Sequence, residues 1–166
     1  MKTKLPLIAV LTALTTALSI LVVIPIPATS GIFTLCDAGI YASALLLGPV
    51  AGGIVGAASG ALIDLISGYP QWIVFSFIIH GLQGYIAGCL AKKKLPGGNW
   101  TALILASIWM MVGYAIGTGI LYNWAAAIPS IPGNSLQNIF GILVAIPLNR
   151  SIRRLRLPAL QAFIED

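Results

Sequence analysis

His80 is the only histidine of this 166-residue chain, and Asp37 and Asp64 are its only acidic residues before Glu165 and Asp166. Trp72, Ser76, His80 and Gln83 recur at i, i+4, i+8 and i+11, a spacing that sets all four on one face of a helix. Tyr114, Thr118 and Tyr122 share a second face, with Trp124 just beyond, and Asn134, Gln137 and Asn138 follow Pro132-Gly133. An imidazole, hydroxyls and amides among indole and phenol rings make hydrogen bonds to a small ring; they do not by themselves break covalent bonds. With one histidine and no Gly-x-Ser-x-Gly, a Ser-His-Asp relay has little to work with. No Gly-Lys dipeptide occurs, which excludes a phosphate-binding loop. Cys36 and Cys89 lack metal-ligand spacing, so neither a zinc site nor any other cofactor is expected. The three polar sets read as an aromatic-walled pocket. His80 is otherwise a packing residue, and the amides otherwise satisfy loop backbone.

The elements that must position these groups are membrane helices. Hydrophobic residues make up 58% of the chain and charged residues only 8%, with a mean hydropathy of +0.99. Soluble domains average about 25% charged residues, so a soluble enzyme, a disordered segment and a nucleic-acid-binding domain are excluded. Charge is absent over 5–36, 38–63, 65–91 and 95–149. Proline, glycine and lysine divide these runs into helices expected over 5–24, 32–48, 50–67, 71–91, 100–122 and 134–149. Six spans of about 20 residues leave no room for a second domain, so 1–166 reads as one all-α transmembrane bundle. Placing the amino terminus inside puts all nine Lys and Arg (Lys2, Lys4, Lys92 to Lys94, Arg150, Arg153, Arg154, Arg156) on the cytoplasmic side. Both termini are then cytoplasmic. An apolar stretch of about 20 residues also exceeds the core of a cleaved signal peptide, so the first helix is expected to be retained.

This orientation sets His80 about 12 Å below the outer surface. Asp64 lies about one turn from the outer end of the third helix, and Asp37 near the outer start of the second, where a carboxylate suits the helix dipole. Each is either a functional group, because an ionisable residue is costly in lipid, or a structural one. In the structural alternative Asp64 hydrogen-bonds the Gly68-Tyr69 turn and Asp37 caps its helix. Small residues recur at Gly52, Gly56 and Gly60, at Gly84 and Gly88, and at Ala9, Ala13 and Ala17. Such faces let helix backbones approach closely. The glycines are read as packing within the bundle. The alanines serve either that or a partner.

The stretch from Cys36 to Gly88 resembles the substrate-binding S components of energy-coupling factor (ECF) vitamin transporters, in the branch with riboflavin-type and hydroxymethylpyrimidine/pyridoxine-type members. The features are Asp37-Ala-Gly, Leu47-Gly48-Pro49, Asp64-Leu-Ile-Ser-Gly68-Tyr69, Gly81-x-x-Gly84, Gly113-Tyr114 and Asn134-x-x-Gln137. The resemblance implies six helices with cytoplasmic ends, and a tight outward pocket built by helices 4 to 6, with the Tyr69 to Trp72 loop as its lid. It implies Ala9, Ala13 and Ala17 docking on a transmembrane T protein, with two cytoplasmic ATPases supplying energy at the bacterial plasma membrane. Where relatives carry Lys and Glu in an IIKGLEG pattern, this chain has His80 and Gln83. That exchange favours a neutral or zwitterionic heteroaromatic such as pyridoxine or hydroxymethylpyrimidine. A stand-alone channel or facilitator, and an intramembrane enzyme using His80 and Asp64, are the other classes of expectation.

Overall fold

Proline and glycine set most of the helix ends. The computed structural model describes residues 4–26, 31–93 and 95–155. Helix α1 (Leu5–Leu21) leads into a short antiparallel hairpin, β1 (Ile24–Ile26) with β2 (Gly31–Phe33), in the register Ile24 to Phe33. A plain connection was expected there, and β2 takes the first residues assigned to the second helix. Helix α2 (Cys36–Leu47) ends at Gly48, whose φ of 89° admits an immediate reversal into α3 (Pro49–Ser67). Gly68, at φ 82°, closes α3, and a 3₁₀ turn at Pro70–Trp72 opens α4 (Ile73–Lys92). Helices α5 (Asn99–Leu121) and α6 (Trp124–Arg154) complete the bundle.

The last helix departs from the sequence expectation. It starts at Trp124, ten residues before Asn134, and passes through Pro129, Pro132 and Pro147. The Asn123 side chain accepts from the Ala126 amide at 2.9 Å, capping a run of alanines that favours helix strongly. Each proline removes one backbone donor, which frees the carbonyls of Ala125, Ile128 and Leu143. Two hydroxyls bond other carbonyls of the same helix: Ser130 donates to Ala127 at 2.6 Å and Ser135 to Ile131 at 2.7 Å.

Among the described residues, four helical stretches are long and apolar enough to cross a membrane: Pro49–Ser67, Pro70–Lys92, Asn99–Leu121 and Trp124–Arg154. Leu5–Leu21 and Cys36–Leu47 are apolar but shorter. Polar residues are drawn into the core and the outer surface is apolar: Thr15, Ser59, Gln83, Thr118 and Asn149 are buried, while Val10, Leu62, Ile78, Leu105 and Leu143 face outward. Such a surface suits lipid and would aggregate in water.

Helices α3 and α4 meet backbone to backbone. A methyl at Gly52 would lie 2.7 Å from the Gly84 carbonyl oxygen, and one at Gly56 would collide with the His80 carbonyl. The glycine ladder is thus an internal seam. Tyr41, Leu45, Ala87, Leu103, Ala106 and Ile146 form the largest apolar core cluster. Helix α1 packs Ile8 against Ala51 and Val55, leaving Ala9, Ala13 and Ala17 exposed. Lys4, Lys92, Lys93, Arg150, Arg153 and Arg154 lie at one end of the bundle; the hairpin, the Gly68–Trp72 turn and Tyr122–Asn123 lie at the other. Lys2, Lys94, Arg156, Glu165 and Asp166 fall outside the described residues.

Candidate functional site

The site is built on α4, whose Ser76, His80 and Gln83 are all buried. Gly60 makes room for the ring: a methyl there would sit 2.8 Å from His80 Cδ2 and 3.0 Å from the Ser76 carbonyl oxygen. Asp37, in the first turn of α2, packs on Gly141 of α6 and makes no capping bond. Its Oδ1 instead accepts from Gln83 Nε2 at 2.6 Å. The amide nitrogen donates, so the Gln83 amide is turned with Nε2 toward Asp37 and its oxygen the other way. Gln83 Oε1 therefore faces His80 Nδ1, at 2.7 Å, and Nδ1 carries the hydrogen. Asp37 Oδ1 lies 3.8 Å from the same nitrogen. His80 Nε2, left as an acceptor, takes the Tyr114 hydroxyl at 2.9 Å. Tyr114 Oη is 2.7 Å from Ser76 Oγ, and Ser76 hydrogen-bonds the Asp64 carboxylate.

Gln83 also anchors a deeper set. Its Nε2 lies 2.7 Å from the Tyr41 hydroxyl and 3.1 Å from Asn138 Oδ1. Tyr41 donates to Asn138 Oδ1 at 2.5 Å and lies 2.8 Å from Ser107 Oγ. Side chains of α2, α4, α5 and α6 are thus tied at one buried amide. Farther out, Gln137 Oε1 accepts from the Thr34 amide at 2.8 Å, joining α6 to the end of the hairpin.

Above His80 lies a cavity lined by Ile32, Thr34, Cys36, Gly60, Ile63, Asp64, Ser76, His80, Met110, Tyr114, Asn134 and Gln137. The cavity is small, with about 20 Å³ open to the centre of a water molecule. No Lys or Arg lines it. Asp64 Oδ2 is buried there without a hydrogen-bond partner among the described residues.

Of the residues singled out in the sequence, Ser76, His80, Tyr114, Asn134 and Gln137 line the cavity, and Asp64 joins them. Gln83 and Asn138 lie behind His80. Trp72 is buried against Tyr114, with ring centroids 5.5 Å apart, and also contacts the rings of Phe75 and Tyr122. Thr118 does not reach the cavity; its hydroxyl is spent on the Tyr114 carbonyl at 2.7 Å. Trp124 lies outside, 66% exposed and packed over Gly119, because early helix formation carries it away. The Asp64 backbone carbonyl, rather than its carboxylate, accepts from the Tyr69 amide to close the turn. Thr34, Cys36, Tyr41, Ser107 and Met110 were missed. Tyr41 alone had a signal, lying four residues after Asp37 on the same helical face.

The family of ECF-type riboflavin transporter S components matches residues 1–154. The chain belongs to this family. This S component is a transport subunit, not an enzyme, and a multi-pass membrane protein. It is 40% identical over 152 residues, 91% of its length and 88% of the relative's, to the thiamine precursor transporter HmpT of Lactococcus lactis subsp. cremoris. It is also 35% identical over 130 residues, 78% of its length and 87% of the relative's, to an uncharacterized protein in the gap 3′ region of Pyrococcus woesei.

Proposed function

We propose that this S component binds a small neutral heteroaromatic, hydroxymethylpyrimidine first and pyridoxine second, with high affinity in the cavity above His80. The observation that carries the reading is the lining: hydroxyls, amides, an imidazole and one carboxylate beside Tyr114, with no fixed cation. An aminopyrimidine alcohol offers donors and acceptors around a flat ring, and a site of this kind rejects analogues that leave its buried groups unpaired. Asp64, Ser76, His80, Tyr114, Asn134 and Gln137 are the contacts, Gln83 and Asn138 support them, and Trp72 roofs them. The name of the Lactococcus relative supports the same class of ligand.

In this reading residues 1–166 form one domain of six spans in the plasma membrane, with both termini cytoplasmic. Helix α2, about 18 Å long, needs the flanking Thr34 and Leu35 and a locally thin bilayer. The exposed Ala9, Ala13 and Ala17 dock on a T protein, and two ATPases drive release inward. Titration of the purified chain by tryptophan fluorescence tests the ligand. Hydroxymethylpyrimidine should bind more tightly than pyridoxine or riboflavin, and tighter riboflavin binding overturns the assignment. Uptake into liposomes by the chain alone would instead identify a facilitator.

A further inference from the structure

The basic end of the bundle carries two larger cavities. One, of about 360 Å³, is lined by Lys4, Lys92, Arg150 and Arg153 with Asn99 and Asn149, and by small and apolar residues of α2 and α4. The other, of about 470 Å³, shares Lys4, Leu47 and Lys92 with the first and is otherwise walled by apolar groups such as Ile8, Val50 and Ile54. We propose that these two cavities hold an anionic phospholipid, its phosphate headgroup among the four cations and one acyl chain in the groove between α1 and α3.

Charge is the first argument. The only acidic side chains among the described residues, Asp37 and Asp64, belong to the opposite half of the bundle, so no described carboxylate faces these cations. Arg153 is held in place by neutral acceptors: Nε donates to Asn149 Oδ1 at 3.1 Å and Nη2 to the Leu45 carbonyl at 2.8 Å. Its charge is positioned, no carboxylate among the described residues neutralises it, and a guanidinium has further N–H groups with which to bind a phosphate. The second argument is convergence. Orientation in the membrane needs basic residues only near the inner surface, whereas here α1, α4 and α6 aim theirs into one cavity. The third is continuity: the four cations share their chamber with Leu45, Leu46 and Ala91, and through Lys4, Leu47 and Lys92 it adjoins a groove lined by Ile8, Val50 and Ile54, so a bound anion would lie beside apolar surface that a phospholipid can cover.

The test is native mass spectrometry of the full chain released from nanodiscs holding equal phosphatidylglycerol and phosphatidylcholine. Wild type should retain one phosphatidylglycerol at least tenfold over phosphatidylcholine, and raising the salt to about 1 M should reduce the excess. Lys92→Gln with Arg153→Gln should lower retention by about fivefold per cation removed. Lys93→Gln, at the same end but not lining the cavity, should retain as much as wild type. Equal retention of the two lipids, or an equal loss in Lys93→Gln, overturns the proposal. So does displacement of the lipid by millimolar inorganic phosphate or by an acidic peptide, which would mark a plain anion site or a protein-docking site. Should the double variant not fold, the wild-type lipid ratio and its salt dependence still decide.

Discussion

Gly60→Ala is the sharpest probe of the cavity. The added methyl would stand 2.8 Å from His80 Cδ2, 3.0 Å from the Ser76 carbonyl oxygen and 3.4 Å from His80 Cβ. Ordinary carbon contacts begin near 3.5 Å, so the ring must retreat by about 0.7 Å. The Ser76 carbonyl belongs to α4 and cannot yield alone. His80 can only move toward a cavity that already admits the centre of a water molecule over just 20 Å³. Overpacking of this degree costs about 1–3 kcal/mol, equivalent to a roughly 5- to 150-fold loss of ligand affinity if it falls on the bound state. Gly53→Ala is the matched control. Its methyl would meet the Gly81 carbonyl oxygen at 3.3 Å and Tyr85 Cβ at 3.4 Å, which a few tenths of an ångström relieve. Fluorescence titration of both variants, with thermal melting to confirm folding, gives the result. If Gly60→Ala binds as tightly as Gly53→Ala, the ligand does not sit against His80 in the cavity that Gly60 helps to line.

Three further outcomes are expected. Tyr114→Phe removes the hydroxyl between Ser76 and His80 and should weaken binding by about 1–3 kcal/mol; unchanged affinity would exclude Tyr114 from the site. Gln83→Leu leaves the Asp37 carboxylate and His80 Nδ1 without their shared amide. It should lower the melting temperature and remove the preference for hydrogen at Nδ1, read in ¹⁵N spectra of the His80 ring. A wild-type ring with hydrogen at Nε2 would show that the amide points the other way. Asp64→Asn keeps the size of the side chain but replaces the carboxylate that Ser76 hydrogen-bonds in the cavity wall. It should weaken ligand binding by about 1–3 kcal/mol; unchanged affinity would place Asp64 outside the ligand contacts.

The sequence exposed what depends on one helix at a time. The spacing of Trp72, Ser76, His80 and Gln83 describes one buried face, and Gly48-Pro49 and Gly68 mark real reversals. Relations between elements were hidden. Nothing in the order of residues says that Gln83 meets Asp37, 46 positions away, or that Thr34 offers its amide to Gln137. Pro129 and Pro132 misled for a physical reason. Rules for proline come from water, where a backbone leaving the helix finds other partners, while in lipid the unwound alternative leaves its polar groups unpaired and the helix continues. The same early helix explains why Trp124, a plausible ring wall by composition, ended outside the cavity.

The seam between α3 and α4 has a mechanical consequence. With Gly52 and Gly56 pressed on the backbone at Gly84 and His80, and Ala57, Tyr85 and the His80 ring wedged against facing glycines, the two helices have little room to slide past each other. The pair must travel as a single plank, and the floor under His80 travels with it. Entry to the cavity then depends on its other walls: the Trp72 roof, the hairpin latched by Thr34 to Gln137, and the α5–α6 hinge of only Tyr122 and Asn123.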